Sequence, residues 1–79
     1  MITEAAFIEM VTREFADTID AEIHPESRIL DDLGMDSLEL LRLMLLAESL
    51  VPGFELPPQL DLKDVAIRDI HHYLLQYQS

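Results

Sequence analysis

The chain has 79 residues, of which sixteen are acidic and five basic, and its formal net charge is -11. This length predicts one domain spanning residues 1 to 79, and the apolar content of 49% is that of a globular chain. Cysteine is absent, which excludes disulfides, thiolate metal sites and a cysteine nucleophile.

The charge and the apolar segments also bear on partners and location. The acidic excess disfavours nucleic acid and anionic lipid, attracts basic patches on partner proteins and repels itself within the domain. The first ten residues have no basic n-region, and no apolar stretch approaches the roughly 20 residues that span a bilayer. We therefore expect a cytoplasmic monomer with no membrane span.

The first predicted element is an amphipathic helix. Apolar residues recur every four positions, and Thr3 is a suitable N-cap; the apolar stripe contains Phe7, Val11, Phe15 and Ile19. The spacing predicts a helix of about four turns.

Residues 20 to 35 interrupt this period and contain Pro25 and Gly34, which favour a loop. Such a long loop is unusual in a compact domain and is commonly functional. Four of its residues are apolar, so we expect an ordered loop that packs on the helices: Ile23, Ile29, Leu30 and Leu33.

A second helix is predicted to begin at Asp36 or Ser37 and to end near Leu50, because VPG at residues 51 to 53 cannot continue it. One face suits the core and contains Leu40, Leu43, Met44 and Ala47. A second row, Leu38, Leu41 and Leu45, suits either a docking surface or one wall of a tunnel for an apolar ligand. An alternative is that the next, shorter helix covers this row.

Two further helices complete the prediction. A short one, of one or two turns, falls within residues 59 to 65. The last helix carries its apolar side on Ile67, Ile70, His71, Leu74 and Tyr77. The expected fold is all-α: a small four-helix bundle of three longer helices and one short helix, with a long ordered loop between helices 1 and 2.

Ser37 is the residue whose role the pattern leaves open. It can be the N-cap of the second helix, as can Asp36. Alternatively it can carry a group, because Gly34 lets the loop turn sharply beside it. A helix N-terminus also favours an anion such as a phosphodiester, through its unpaired N–H groups and its dipole.

Catalysis and calcium binding are weaker interpretations of the same segment. A catalytic serine would need a base, yet no Gly-x-Ser-x-Gly elbow is present, and His24, His71 and His72 are each expected to be surface or core-edge residues. An EF-hand loop counted from Asp31 would place Leu33 and Arg42 at ligand positions. We therefore predict no catalytic residue and no metal site; Asp31 and Asp32 form an acidic patch.

The segment PESRILDDLGMDSLELL, residues 25 to 41, resembles the attachment-site signature of the acyl carrier proteins and related phosphopantetheine-carrying domains. The order of the predicted helices and the acidity agree with that family over essentially the whole chain. The resemblance is specific mainly in the Asp-Leu-Gly-x-Asp-Ser-Leu core.

The resemblance implies a carrier and not an enzyme. A phosphopantetheinyl transferase would use coenzyme A and Mg²⁺ to attach 4′-phosphopantetheine to Ser37, and Asp36 would help to engage that transferase. The arm would carry acyl groups as thioesters to an acyltransferase or acyl ligase, and to a ketosynthase or other thioester-processing enzymes. The residues expected to meet these partners are Leu38, Glu39, Leu41, Arg42, Leu45 and Glu48.

Three departures from the family pattern bear on which biosynthetic pathway such a carrier would serve. Arg42 stands where carriers of fatty-acid synthesis usually have an acid, the second helix is rich in leucine, and Ala66 replaces a threonine that often caps the last helix, so that Asp64 is expected to cap it. These favour a discrete carrier of polyketide or other specialised biosynthesis over fatty-acid synthesis. Two alternatives remain: an aminoacyl or peptidyl carrier, and a non-carrier acidic helical interaction module in which Ser37 is only a cap.

Overall fold

The computed structural model describes residues 2 to 57 and 60 to 78. Within them lie three α-helices, α1 (Glu4–Glu14), α2 (Ser37–Leu50) and α3 (Ile67–Gln78), and a 3₁₀ turn (Leu62–Asp64). This part of the chain contains no strand, only an isolated antiparallel bridge between Arg28 and Ala66. The all-helical class is confirmed. In the described helices, no segment is long and apolar enough to cross a membrane.

The predicted short helix is a single 3₁₀ turn instead. The Asp61 side chain accepts the N–H of Lys63 at 3.0 Å, and the N–H of Val65 closes the turn on the carbonyl of Leu62 at 3.3 Å. Val65 then takes an extended conformation, which ends the turn. Gln59, where the short helix was predicted to begin, lies outside the described residues.

Helix α1 is shorter than predicted. Thr3 caps it, as expected, by accepting the N–H of Ala6 at 3.1 Å. The helix ends at Glu14 and not near Ile19. The N–H of Ala16 bonds to the carbonyl of Arg13 at 3.5 Å and that of Thr18 to the carbonyl of Phe15 at 3.1 Å, three residues back instead of four, so the α-helical pattern of hydrogen bonds is broken there.

One core joins the three helices and the long loop. Its fully buried large side chains are Phe7, Val11, Phe15, Ile29, Leu43, Val65, Ile67, Ile70 and Leu74. On α3 the predicted apolar side is buried except at Tyr77, which is 52% exposed and contacts Phe54 edge-on, with ring centroids 5.6 Å apart.

The loop between α1 and α2 is ordered and packed, as predicted. Ile23, Ile29 and Met35 are buried, and the N–H of Ile29 donates to the carbonyl of Val65 at 3.0 Å. The N–H of Met35 donates back to the carbonyl of Ile29, also at 3.0 Å. Because these bonds and buried side chains fix the end of the loop on the core, the start of α2 is also held in place.

The same loop satisfies the first N–H groups of α3. The N–H of Ile67 donates to the carbonyl of Ser27 at 2.9 Å, and that of Arg68 to the carbonyl of Pro25 at 2.8 Å. The carboxylate at this end is Asp69, which accepts the N–H of Ala66 at 2.9 Å. The expectation that Asp64 caps α3 is therefore wrong: a carboxylate three residues into the helix bonds back to its start.

Candidate functional site

Asp36, not Ser37, caps helix α2. Its Oδ1 accepts the N–H of Glu39 at 2.8 Å, and Glu39 Oε1 accepts the N–H of Asp36 at 3.3 Å. This reciprocal pair is a capping box, which satisfies two N–H groups at the helix start. The capping role that both residues could have filled is thus taken by the aspartate.

Ser37 is the first residue of α2, and it is exposed. Its hydroxyl makes no hydrogen bond to any residue that the structure describes. The backbone N–H groups of Ser37 and Leu38 also have no acceptor within residues 2 to 57 and 60 to 78. A helix start with free N–H groups is favourable for an anion. The serine hydroxyl is therefore available beside a terminus that can accept a phosphate.

Gly34 is required by the backbone conformation of the turn before Ser37. Its φ is +64°, in the left-handed region that favours glycine. A Cβ placed there would meet no atom within 4 Å. Gly34 therefore allows the sharp turn into α2, and the space beside it is open.

The apolar row on α2 is uncovered. Leu38, Leu41 and Leu45 are 67%, 55% and 58% exposed. The alternative that the following turn covers this row is therefore wrong. On the opposite side of α2, Leu43 and Ala47 are fully buried, and the other two residues of the predicted core face, Leu40 and Met44, are half-buried against the core.

Arg42 is bound to the rest of the fold. Its side chain is 30% exposed and reaches from α2 to the end of α1. There its Nη2 donates to the carbonyl oxygen of Glu14 at 2.6 Å and lies 3.5 Å from Asp17 Oδ1. The guanidinium carbon also sits 4.9 Å from the centre of the Phe15 ring. Arg42 was predicted as a partner-binding residue, and here it has three partners within the chain.

The two acids predicted to bind partners, Glu39 and Glu48, differ in whether they have contacts within the chain. Glu39 is half-buried and takes part in the capping box. Glu48 is exposed, and it makes no hydrogen bond or ion pair with any described residue. Among the three charged residues predicted to bind partners, Glu48 is therefore the one that has no partner among the described residues.

The histidines make their contacts with residues other than Ser37. His71 Nε2 lies 2.9 Å from the carbonyl oxygen of Ile2, and its ring stacks on Phe7. His24 lies beside Glu22, and His72 contacts Tyr73. No hydrogen bond between a histidine and Ser37 is found among the described residues.

The acidic patch in the loop is partly neutralised by one arginine. Arg28 Nη1 lies 3.7 Å from Asp31 Oδ2, and the backbone N–H of Arg28 donates to Asp32 Oδ2 at 2.8 Å. Among the described residues, no group of three or more histidines or carboxylates could hold a metal ion.

An open groove of about 500 Å³ lies elsewhere on the surface. It is lined by Glu4 of α1 and by five residues of α3: Arg68, Asp69, His71, His72 and Leu75. No residue of α2 contributes to it. This groove is therefore not a tunnel behind the leucine row.

Comparisons with known proteins add no relative to this description. The chain matches no protein-family model, no curated protein and no solved structure. The features of this chain that bear on its function are therefore the geometry of Ser37 and the sequence around it.

Proposed function

We propose that this chain carries acyl groups as thioesters on a 4′-phosphopantetheine arm attached to Ser37. The observation that carries the proposal is the division of roles between two neighbours. Asp36 caps α2, so the hydroxyl of Ser37 is exposed and is not needed to start the helix. The resemblance of residues 25 to 41 to the acyl carrier signature points to the same serine.

The attachment reaction uses only the serine oxygen of this chain. Ser37 Oγ forms a bond to phosphorus while a P–O bond within the diphosphate of coenzyme A breaks. Adenosine 3′,5′-bisphosphate leaves, and the serine proton passes to a base of the phosphopantetheinyl transferase or to water. Mg²⁺ is needed only during this step, to neutralise the diphosphate. The product is a phosphodiester on Ser37.

The start of α2 suits that phosphodiester. The free N–H groups of Ser37 and Leu38 point from the positive end of the helix dipole and favour a negative group there. Asp36 opposes it electrostatically, but its carboxylate is already held by the N–H of Glu39. The thiol at the end of the arm supplies the acyl-bearing group that a chain without cysteine lacks.

In this proposal the chain is not an enzyme. It is a cytoplasmic monomer that presents acyl intermediates to an acyltransferase or acyl ligase and to a ketosynthase or related enzyme. The 3₁₀ turn at Leu62–Asp64 would then correspond to the short helix that the carrier resemblance implies. The departures at Arg42 and Ala66 favour specialised or polyketide-type biosynthesis over fatty-acid synthesis.

The test is a change in mass. The purified chain is incubated with coenzyme A, Mg²⁺ and a broad-specificity phosphopantetheinyl transferase, and its intact mass is measured. We expect the gain of one 4′-phosphopantetheine, and none in Ser37→Ala. Ser49→Ala is the matched control, because Ser49 is the other exposed serine of α2 and should leave the gain unchanged.

One alternative function has its own supporting observation. The uncovered leucines of α2 also suit an acidic helical interaction module that carries no arm. That function predicts no gain of mass with any transferase. A gain that survives Ser37→Ala would likewise contradict attachment at this serine.

A further inference from the structure

Helix α1 ends at Glu14 although the sequence carries no local stop signal there. Residues 15 to 24 contain neither glycine nor proline, and Ala16 is a strong helix former. The apolar period of α1 also continues to Ile19. Phe15 has φ −106°, so α1 ends without the left-handed residue that often closes a helix. A cause outside the local sequence is therefore needed to explain this end.

The interruption of the helical hydrogen bonds is short. The N–H groups of Ala16 and Thr18 bond three residues back. The N–H of Ile19 then donates to the carbonyl of Phe15 at 2.8 Å, which is four residues back and thus an α-helical bond. Residues 15 to 19 are therefore already close to a helical conformation.

The contacts of Arg42 coincide with this interruption. Its Nη2 donates at 2.6 Å to the carbonyl of Glu14, which is the acceptor that the N–H of Thr18 would have in a continued α-helix. The same guanidinium contacts the ring of Phe15 and the carboxylate of Asp17. Residues two positions apart on an α-helix do not face the same side, so one guanidinium reaches both of them only where the helix is broken.

We propose that Arg42 determines the length of α1. While its guanidinium binds the Glu14 carbonyl, α1 ends at Glu14; when the guanidinium is released, residues 15 to 19 form one more turn of α1. Because Arg42 is a residue of α2, a movement of α2 away from α1 breaks this bond, so the length of α1 is coupled to the position of α2. This inference does not rest on the proposed function.

A local cause for the end of α1 would act through Asp17. A carboxylate is unfavourable near the negative end of a helix, and aspartate and threonine are weaker helix formers than alanine. The two causes can be separated, because Arg42 binds the backbone of Glu14. Replacing the side chain of Asp17 therefore leaves that bond in place.

The experiment measures the extent of α1 by NMR in Arg42→Met, which removes the guanidinium and keeps an unbranched side chain. We expect the Cα chemical shifts of residues 15 to 18 to move to helical values, and an NOE to appear between Hα of Glu14 and the N–H of Thr18. Circular dichroism should show more helix although the domain is less stable. If Arg42→Met does not fold, Arg42→Gln, whose side chain is too short to reach the Glu14 carbonyl, should give the same result.

Two control variants separate Arg42 from charge and from the local cause. Arg68→Met removes an exposed arginine of α3 with the same change in net charge, and it should leave α1 ending at Glu14. Asp17→Asn should also leave that end unchanged.

The results then decide between the two causes. An α1 that still ends at Glu14 in the Arg42 variants would overturn the inference. A longer α1 in Asp17→Asn would overturn it too, in favour of the local charge. Neither result bears on the arm at Ser37, which the intact mass tests.

Discussion

The guanidinium of Arg42 donates a hydrogen bond of 2.6 Å to the carbonyl oxygen of Glu14, 28 residues earlier in the chain. That carbonyl is the last of α1, so a cation stands where the helix dipole is negative. The same guanidinium lies over Phe15 and near Asp17. One side chain of α2 thus binds the end of α1 through a hydrogen bond, a ring contact and an ion pair.

Removing this contact should destabilise the fold. We expect Arg42→Ala to lower the free energy of unfolding by about 1–2 kcal/mol, because a charged hydrogen bond and a cation–π contact are lost. Arg42→Glu should cost more, since its carboxylate would face the Glu14 carbonyl. The measurement is urea denaturation followed by circular dichroism. In the control Arg13→Ala, an exposed ion pair with Glu9 is removed, and the change should stay within about 0.5 kcal/mol.

Substitutions at the neighbours Asp36 and Ser37 should have different effects on the free energy of unfolding. Asp36→Ala removes the cap and should cost about 1 kcal/mol, whereas Ser37→Ala should cost less than half of that. Asp36→Asn keeps a capping oxygen and removes the charge, so it should stay close to the wild type in stability. Chemical denaturation of the three variants is the measurement. Equal losses for Ser37→Ala and Asp36→Ala would show that the serine is a second cap.

Asp36→Asn also tests the predicted contact of Asp36 with the transferase. If the transferase recognises the charge, this variant should gain the arm more slowly while its stability is kept. The initial rate of mass gain measures this effect. An unchanged rate would limit Asp36 to its capping role.

Alanine substitutions at Leu43 and Leu45, two positions apart on α2, should differ sharply in the stability that they remove. Leu43 is fully buried, so Leu43→Ala should destabilise the domain by about 2–5 kcal/mol, which is enough to unfold much of a small domain. Leu45 is mostly exposed, and Leu45→Ala should change the stability by no more than about 0.5 kcal/mol. Alanine and leucine are both good helix formers, so the contrast reports burial. Thermal unfolding followed by circular dichroism measures both.

The net charge of -11 predicts a dependence of stability on salt. Added NaCl or a divalent cation should raise the melting temperature, because it screens the mutual repulsion of the acidic side chains. The measurement compares melting at low and at moderate salt. A melting temperature that does not change would mean that the existing ion pairs already offset the repulsion.

The sequence predicted α2 well because its signals are local. A capping residue precedes an apolar run, and Pro52 and Gly53 follow it, so both ends are determined by neighbours in the chain. The apolar residues of the loop were also expected to pack, and Ile23 and Ile29 do. The burial of Met35 had no comparable signal, because it depends on a backbone bond to Ile29.

The end of α1 could not be predicted in this way. Phe15 and Ile19 continue the four-residue period, yet the helix stops at Glu14. At Glu14 the carbonyl binds Arg42, which lies 28 residues further along the chain, so no pattern of neighbouring residues could indicate this contact. The resemblance to carriers assigned Arg42 to a partner surface, and no local pattern indicated that Glu14, Phe15 and Asp17 would receive its side chain.

The hydrogen bonds from α3 to the loop have a consequence for how the domain opens. The amides of Ile67 and Arg68 are held by carbonyls of Ser27 and Pro25, and that of Ile29 by Val65. Neither segment can fray without releasing the other, so both belong to one cooperative unit in hydrogen exchange. The turn before Ser37 is joined to that unit by the hydrogen bond from the N–H of Met35 to the carbonyl of Ile29. Slow exchange at Ile29 and Ile67 would therefore also report how firmly the serine is held in place.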